Sequence, residues 1–100
     1  MDIKKEIAEI TALAYEANDT TYSDVFLSYS GHVDMLDGYV FIDGWREGAN
    51  GDWSFKIRLK KYKCEEVEEF EKNLETEIEM VKFYLLMLME AKEYGRVQRV

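Results

Sequence analysis

The residues able to do chemistry in this chain are few and scattered. Nucleophilic catalysis needs a base beside a cysteine or serine, and there is one histidine, His32, and one cysteine, Cys64, with no diagnostic spacing between them. Both read as ordinary residues of a strand end and a helix start. Asp34, Asp37, Asp43 and Asp52 cluster near turns. They lack the D-x-D-x-D-G spacing of a calcium loop, and aspartates in turns most often bond their own backbone. No cofactor or metal is expected from these patterns, and none of them is a signature of an enzyme.

Two charge patterns remain. Lys56, Arg58 and Lys60 alternate along one stretch, with Lys61 and Lys63 just beyond. A strand there would present a basic stripe able to track phosphates, and Tyr29, Tyr39, Trp45 and Tyr62 could stack bases. The opposite pattern follows, with eight glutamates between positions 65 and 79 against the single Lys72. A row of carboxylates is most often a solvated helix face. Its functional reading is a docking surface for a basic groove, through Glu65, Glu66, Glu68, Glu69, Glu75 and Glu79.

The helix that must carry those glutamates spans residues 64–94, without glycine or proline. Val67, Phe70, Leu74, Ile78, Val81, Leu85 and Leu88 fall within an arc of roughly 80° at 100° per residue, a core-facing stripe. From Met80 onward a second stripe opens on the far side: Met80, Phe83, Tyr84, Met87, Ala91 and Tyr94. Covering both faces needs more protein than a small domain supplies, so this stripe is expected to meet a second copy packed about a two-fold axis. A helix of that length would also project beyond a compact monomer.

Upstream, residues 2–17 read as an amphipathic helix capped by Asp2 and ended by Asn18 and Asp19. Val25 to Val33 and Tyr39 to Asp43 read as strands around a turn at Asp34 to Gly38. After a second turn at Glu47 to Asp52, where Asn50-Gly51 suits positive φ, Trp53, Phe55, Ile57 and Leu59 alternate with polar residues. Gly95 is expected to end the long helix, leaving 96–100 as a frayed basic tail. The expected fold is α+β in the order α-β-β-β-α, one domain over residues 1–95, with a three-stranded antiparallel meander covered by both helices on one face.

The 100 residues carry a net charge of −8. That charge is unevenly laid out: −8 over residues 1–52, +5 over 53–63 and −5 over 64–100. Such a chain repels bulk nucleic acid and anionic membrane and is drawn to basic surfaces. The longest apolar run is far shorter than a membrane span, and the N-terminus lacks a signal-peptide pattern, so a cytoplasmic protein is expected. The lone cysteine permits no internal disulfide.

In size, charge, absence of proline and helix-meander-helix order, the chain resembles phage-encoded inhibitors such as anti-CRISPR proteins. The likeness is one of charge and topology alone. The expectation of a non-enzymatic, self-associating protein that occludes a basic, nucleic-acid-handling partner as a nucleic-acid mimic comes from the glutamate row, the second apolar stripe and the lack of a catalytic signature. Two alternatives stand beside it: an oligomer binding nucleic acid or a small anionic ligand through Lys56, Arg58 and Lys60, and a structural oligomerisation module.

Overall fold

The computed structural model describes the backbone of residues 1–99 and the side chains of residues 1–91. Helix α1 (Ile3–Thr20) is followed by strands β1 (Asp24–Ser30), β2 (Met35–Phe41) and β3 (Trp53–Arg58), and then by helix α2 (Val67–Arg99). The sheet is an antiparallel meander in the order β1-β2-β3. The architecture is therefore α+β, with α1 lying over β1, α2 over β3, and the two helices against each other.

Helix α1 begins where Asp2 accepts a hydrogen bond from the Lys5 amide at 3.2 Å. It buries Ile10, Ala14 and Ala17. Asn18 does not stop it. The helix runs on to Thr20, because the Asn18 amide bonds across to β1, accepting from Val25 N at 2.8 Å and donating to Val25 O at 2.9 Å. One side chain thus satisfies both edge-facing backbone groups of that residue. The tight connection after α1 is similarly closed, with Ser23 Oγ donating to Ile42 O at 2.6 Å.

The core lies between the inner sheet face and the helices: Val25, Leu36, Val40, Phe55, Ile57 and Leu59 from the sheet side meet Ile10, Leu74, Ile78, Val81, Leu85 and Leu88. Six of the seven residues of the first α2 stripe are buried or half-buried, and Val67 at the start is exposed. Among the described residues no buried side-chain nitrogen or oxygen lacks a partner.

The β1–β2 turn differs from expectation. It occupies Gly31–Asp34, with Asp34 at φ 49°, and β2 starts at Met35. Gly38 is a mid-strand residue, paired with Leu27 and Phe55. A Cβ there would sit 2.6 Å from the Phe55 ring and 2.9 Å from Phe26 O, so the glycine makes room for an aromatic ring lying across the strand. In the β2–β3 connection the positive φ angles fall at Gly44 and Gly48, not at Asn50-Gly51. This connection is longer than a two-residue hairpin, and side chains close it instead: Asp52 accepts from Ile42 N at 2.7 Å and Asp24 from Trp45 N at 2.5 Å.

Helix α2 continues through Gly95 to Arg99, so that glycine is not its terminator. One glycine costs a helix about 1 kcal/mol, which a helix of this length absorbs. At ~1.5 Å per residue α2 alone accounts for the 51 Å long axis of a molecule only 27 × 17 Å across. The radius of gyration of 15.0 Å exceeds the about 13 Å of a compact chain of this size. No helix among the described residues is long and apolar enough to cross a membrane.

Candidate docking surfaces

Three contacts set the rotation of α2 and so decide which side chains face solvent. Its core stripe lies on the sheet and α1. On one flank Lys82 reaches α1, pairing with both Glu6 and Glu9, which raises the lysine pKa and lowers that of Glu9. On the other flank Tyr84 stacks on Trp53 with ring centroids 3.9 Å apart and planes 16° from parallel. Burial, with the nearby Asp52 charge, raises the Tyr84 pKa.

Opposite the core, Met80, Phe83, Leu86 and Met87 are 61, 65, 52 and 49% exposed. Helix α1 does not wrap over them. Taking Phe83 as zero, 100° steps place Leu86 and Met80 about 60° to either side and Met87 about 40° away, one apolar band. Of the six residues assigned to this stripe from sequence, Met80, Phe83 and Met87 lie in the band and Ala91 is exposed. Tyr84 is turned away onto Trp53, while the side chain of Tyr94 lies outside the described residues. Leu86 belongs to the band but was absent from the predicted stripe, although its 3-residue spacing from Phe83 was there to be read.

The glutamates do not form one uniform row. Glu66, Glu68, Glu69, Glu71, Glu75, Glu77 and Glu79 are exposed. Glu65 is not a free member: both its carboxylate oxygens accept from the Arg58 guanidinium, one at 2.8 Å, and Oε1 also accepts from Tyr62 N at 2.7 Å. This bidentate pair, the backbone donor behind it, holds the carboxyl at a pKa of about 2. Further along α2 the acidic and apolar surfaces join, and a shallow hollow of ~470 Å³ is lined by Glu75, Thr76, Glu79, Met80 and Phe83.

The basic stripe is divided. Arg58 is committed to Glu65 and lies over the rings of Tyr62 at 4.0 Å and Phe70 at 5.4 Å. Lys56 is exposed opposite Asp37 on β2, and Lys60 belongs to a separate hollow beside the β1–β2 turn. The open face of the sheet is aromatic at its centre, with Phe26, Tyr39 and Trp45 exposed around a depression of ~580 Å³. The four turn aspartates do not converge: Asp34 accepts from the Tyr29 hydroxyl, Asp37 is a strand residue and Asp52 closes a loop. Among the described residues no three of His, Cys, Asp and Glu are grouped to hold a metal ion. Cys64 is an exposed thiol in the connection before α2, and His32 lies in the β1–β2 turn.

Comparison with protein-family models, curated sequences and solved structures returns no match for this chain.

Proposed function

We propose that this is a non-enzymatic binding protein, self-associated through the outer band of α2, that docks its acidic helix surface on a basic, nucleic-acid-handling protein and occludes it. The observation that carries the reading is the continuity of Glu75 and Glu79 with Met80 and Phe83 around one hollow. Carboxylates alone face water at little cost. Where self-association buries Met80 and Phe83, Glu75 and Glu79 stand at the rim of the seam, so the same stretch of helix passes from the dimer contact to carboxylates able to pair Lys or Arg head groups.

Self-association is supported by the position of the apolar band. Phe83 is the midpoint of α2, so two helices crossing there about a two-fold axis bury each other's bands symmetrically. Burying about 600 Å² of apolar surface per chain yields ~15 kcal/mol gross per chain at ~25 cal/mol/Å², about 30 kcal/mol for the pair, which exceeds the ~4–15 kcal/mol cost of association. A crossing angle of about 50° leaves the glutamate-rich halves splayed outward. The dimer then presents two acidic arms.

The test is capture of nucleic-acid-binding proteins from host lysate at low and high salt, with a Glu66→Lys, Glu69→Lys, Glu75→Lys, Glu79→Lys variant as control. The reading expects capture that fades with salt, is competed by DNA or RNA and is lost in the variant. Equal capture by the variant would contradict it.

A further inference from the structure

Beside the β1–β2 turn lies a second hollow, of ~620 Å³, whose charge is opposite to that of the rest of the molecule. It is lined by Tyr29, His32, Lys60, Lys61, Tyr62 and Lys63, with Asp34 at its side. A backbone bond from Leu59 N to Asp34 O, 2.9 Å, ties the turn to the segment leaving β3, so both walls are fixed to the sheet.

No carboxylate among the described residues forms an ion pair with Lys60, Lys61 or Lys63. Lys61 Nζ donates to Tyr62 O and Glu65 O, each at 2.9 Å, which orders the loop and leaves the third ammonium hydrogen available. Asp34, the one acid present, already accepts from the Tyr29 hydroxyl at 2.6 Å. That same bond raises the tyrosine pKa. Arg58 covers one face of the Tyr62 ring, and both Tyr29 and Tyr62 remain more than half exposed.

We infer that this hollow binds a nucleotide, its phosphates held by Lys60, Lys61 and Lys63 and its base stacked on the exposed tyrosine rings. Lys60 and Lys63, which form no ion pair among the described residues, and Lys61, whose charge acts on the Glu65 carboxylate already paired with Arg58, are the complement of a phosphate chain, and an aromatic face accepts any base. Size selects against a long strand. Three lysines against Asp34 leave +2 locally, so the remainder of the chain carries −10. At a Debye length of about 8 Å a ligand confined to the hollow feels mainly the lysines, whereas a strand running beyond it meets the acidic surface. This site is separate from the α2 surface and does not depend on the docking proposal.

The experiment is amide chemical-shift titration of the intact chain with ATP, inorganic tripolyphosphate, adenosine and a thymidine oligonucleotide. Saturable shifts around Gly31, His32, Tyr62 and Lys63 are expected with ATP, at an affinity roughly tenfold above tripolyphosphate because the base stacks. Lys60→Ala with Lys63→Ala is expected to weaken ATP roughly tenfold or more. Tyr62→Ala is expected to weaken ATP while leaving tripolyphosphate unchanged. The exposed positions leave the core intact, and the amide spectrum of each variant reports its fold directly. No saturation at millimolar ATP, equal affinity for ATP and tripolyphosphate, unchanged ATP affinity in the double variant, or tighter binding of the oligonucleotide would each overturn the assignment.

Discussion

The indole of Trp53 and the phenol of Tyr84 lie face to face, 3.9 Å between centroids, and this contact fixes the rotation of α2 about its axis. With Tyr84 held against β3 on one flank and Lys82 against α1 on the other, Phe83 has nowhere to point but outward. The exposed apolar band therefore follows from the packing that stabilises the fold.

Tyr84 and Phe83, neighbours in sequence, should separate in their effects. Tyr84→Ala removes a stacked, half-buried ring and is expected to lower stability by about 2 kcal/mol in urea denaturation. Phe83→Ser is expected to leave the intrinsic fold of the subunit intact and to weaken self-association, read by sedimentation.

Glu65 gives the fold a defined acid sensitivity. Its folded pKa of about 2 lies below the ordinary 4.5, so the folded state favours the carboxylate. The stabilisation from the Arg58 pair is present in full above 4.5 and is lost as pH falls from there toward 2. Glu65→Gln is expected to lower the Tm at neutral pH and to flatten the dependence of Tm on pH within that window, measured by circular dichroism melts.

Lys82 behaves with the opposite sign. Its pKa is raised by Glu6 and Glu9, so its contribution is present below the ordinary lysine value of 10.5 and is lost as pH rises through the raised one. Because the pairs are solvent-accessible, Lys82→Gln is expected to cost only about 1 kcal/mol, and less in high salt. Denaturation at low and high ionic strength measures both effects.

Gly38 tests the account of the sheet. A methyl group there would overlap the Phe55 ring, so Gly38→Ala is expected to destabilise by about 2 kcal/mol. Gly38→Ala combined with Phe55→Leu should recover only part of that loss, because the shorter of the two overlaps is with the ring and the other, with the Phe26 carbonyl, remains.

Much of the fold was legible because two periodicities were strong. The spacing of Val67 to Leu88 marked one face of α2, and the alternation from Trp53 to Leu59 marked β3 and its inward side. Gly38 was misread as a turn residue because a glycine near aspartates carries turn chemistry, and its real task, clearance for Phe55, depends on a cross-strand neighbour. The surfaces were less legible. Glu65 reads like the glutamates around it until Arg58 is brought alongside, and Tyr84 reads as outer stripe until Trp53 arrives from β3. Lys60, Lys61, Lys63, Tyr29 and Tyr62 stood out in the sequence as a basic and aromatic set, but their meeting in one hollow joins residues about thirty positions apart and needs the β1–β2 turn folded beside the end of β3.

Sedimentation equilibrium of the intact chain across the micromolar range bears most directly on the role of the α2 band. The account predicts a species of twice 11.8 kDa that dissociates on Phe83→Asp with Met87→Asp. A single species of 11.8 kDa at every concentration would contradict it.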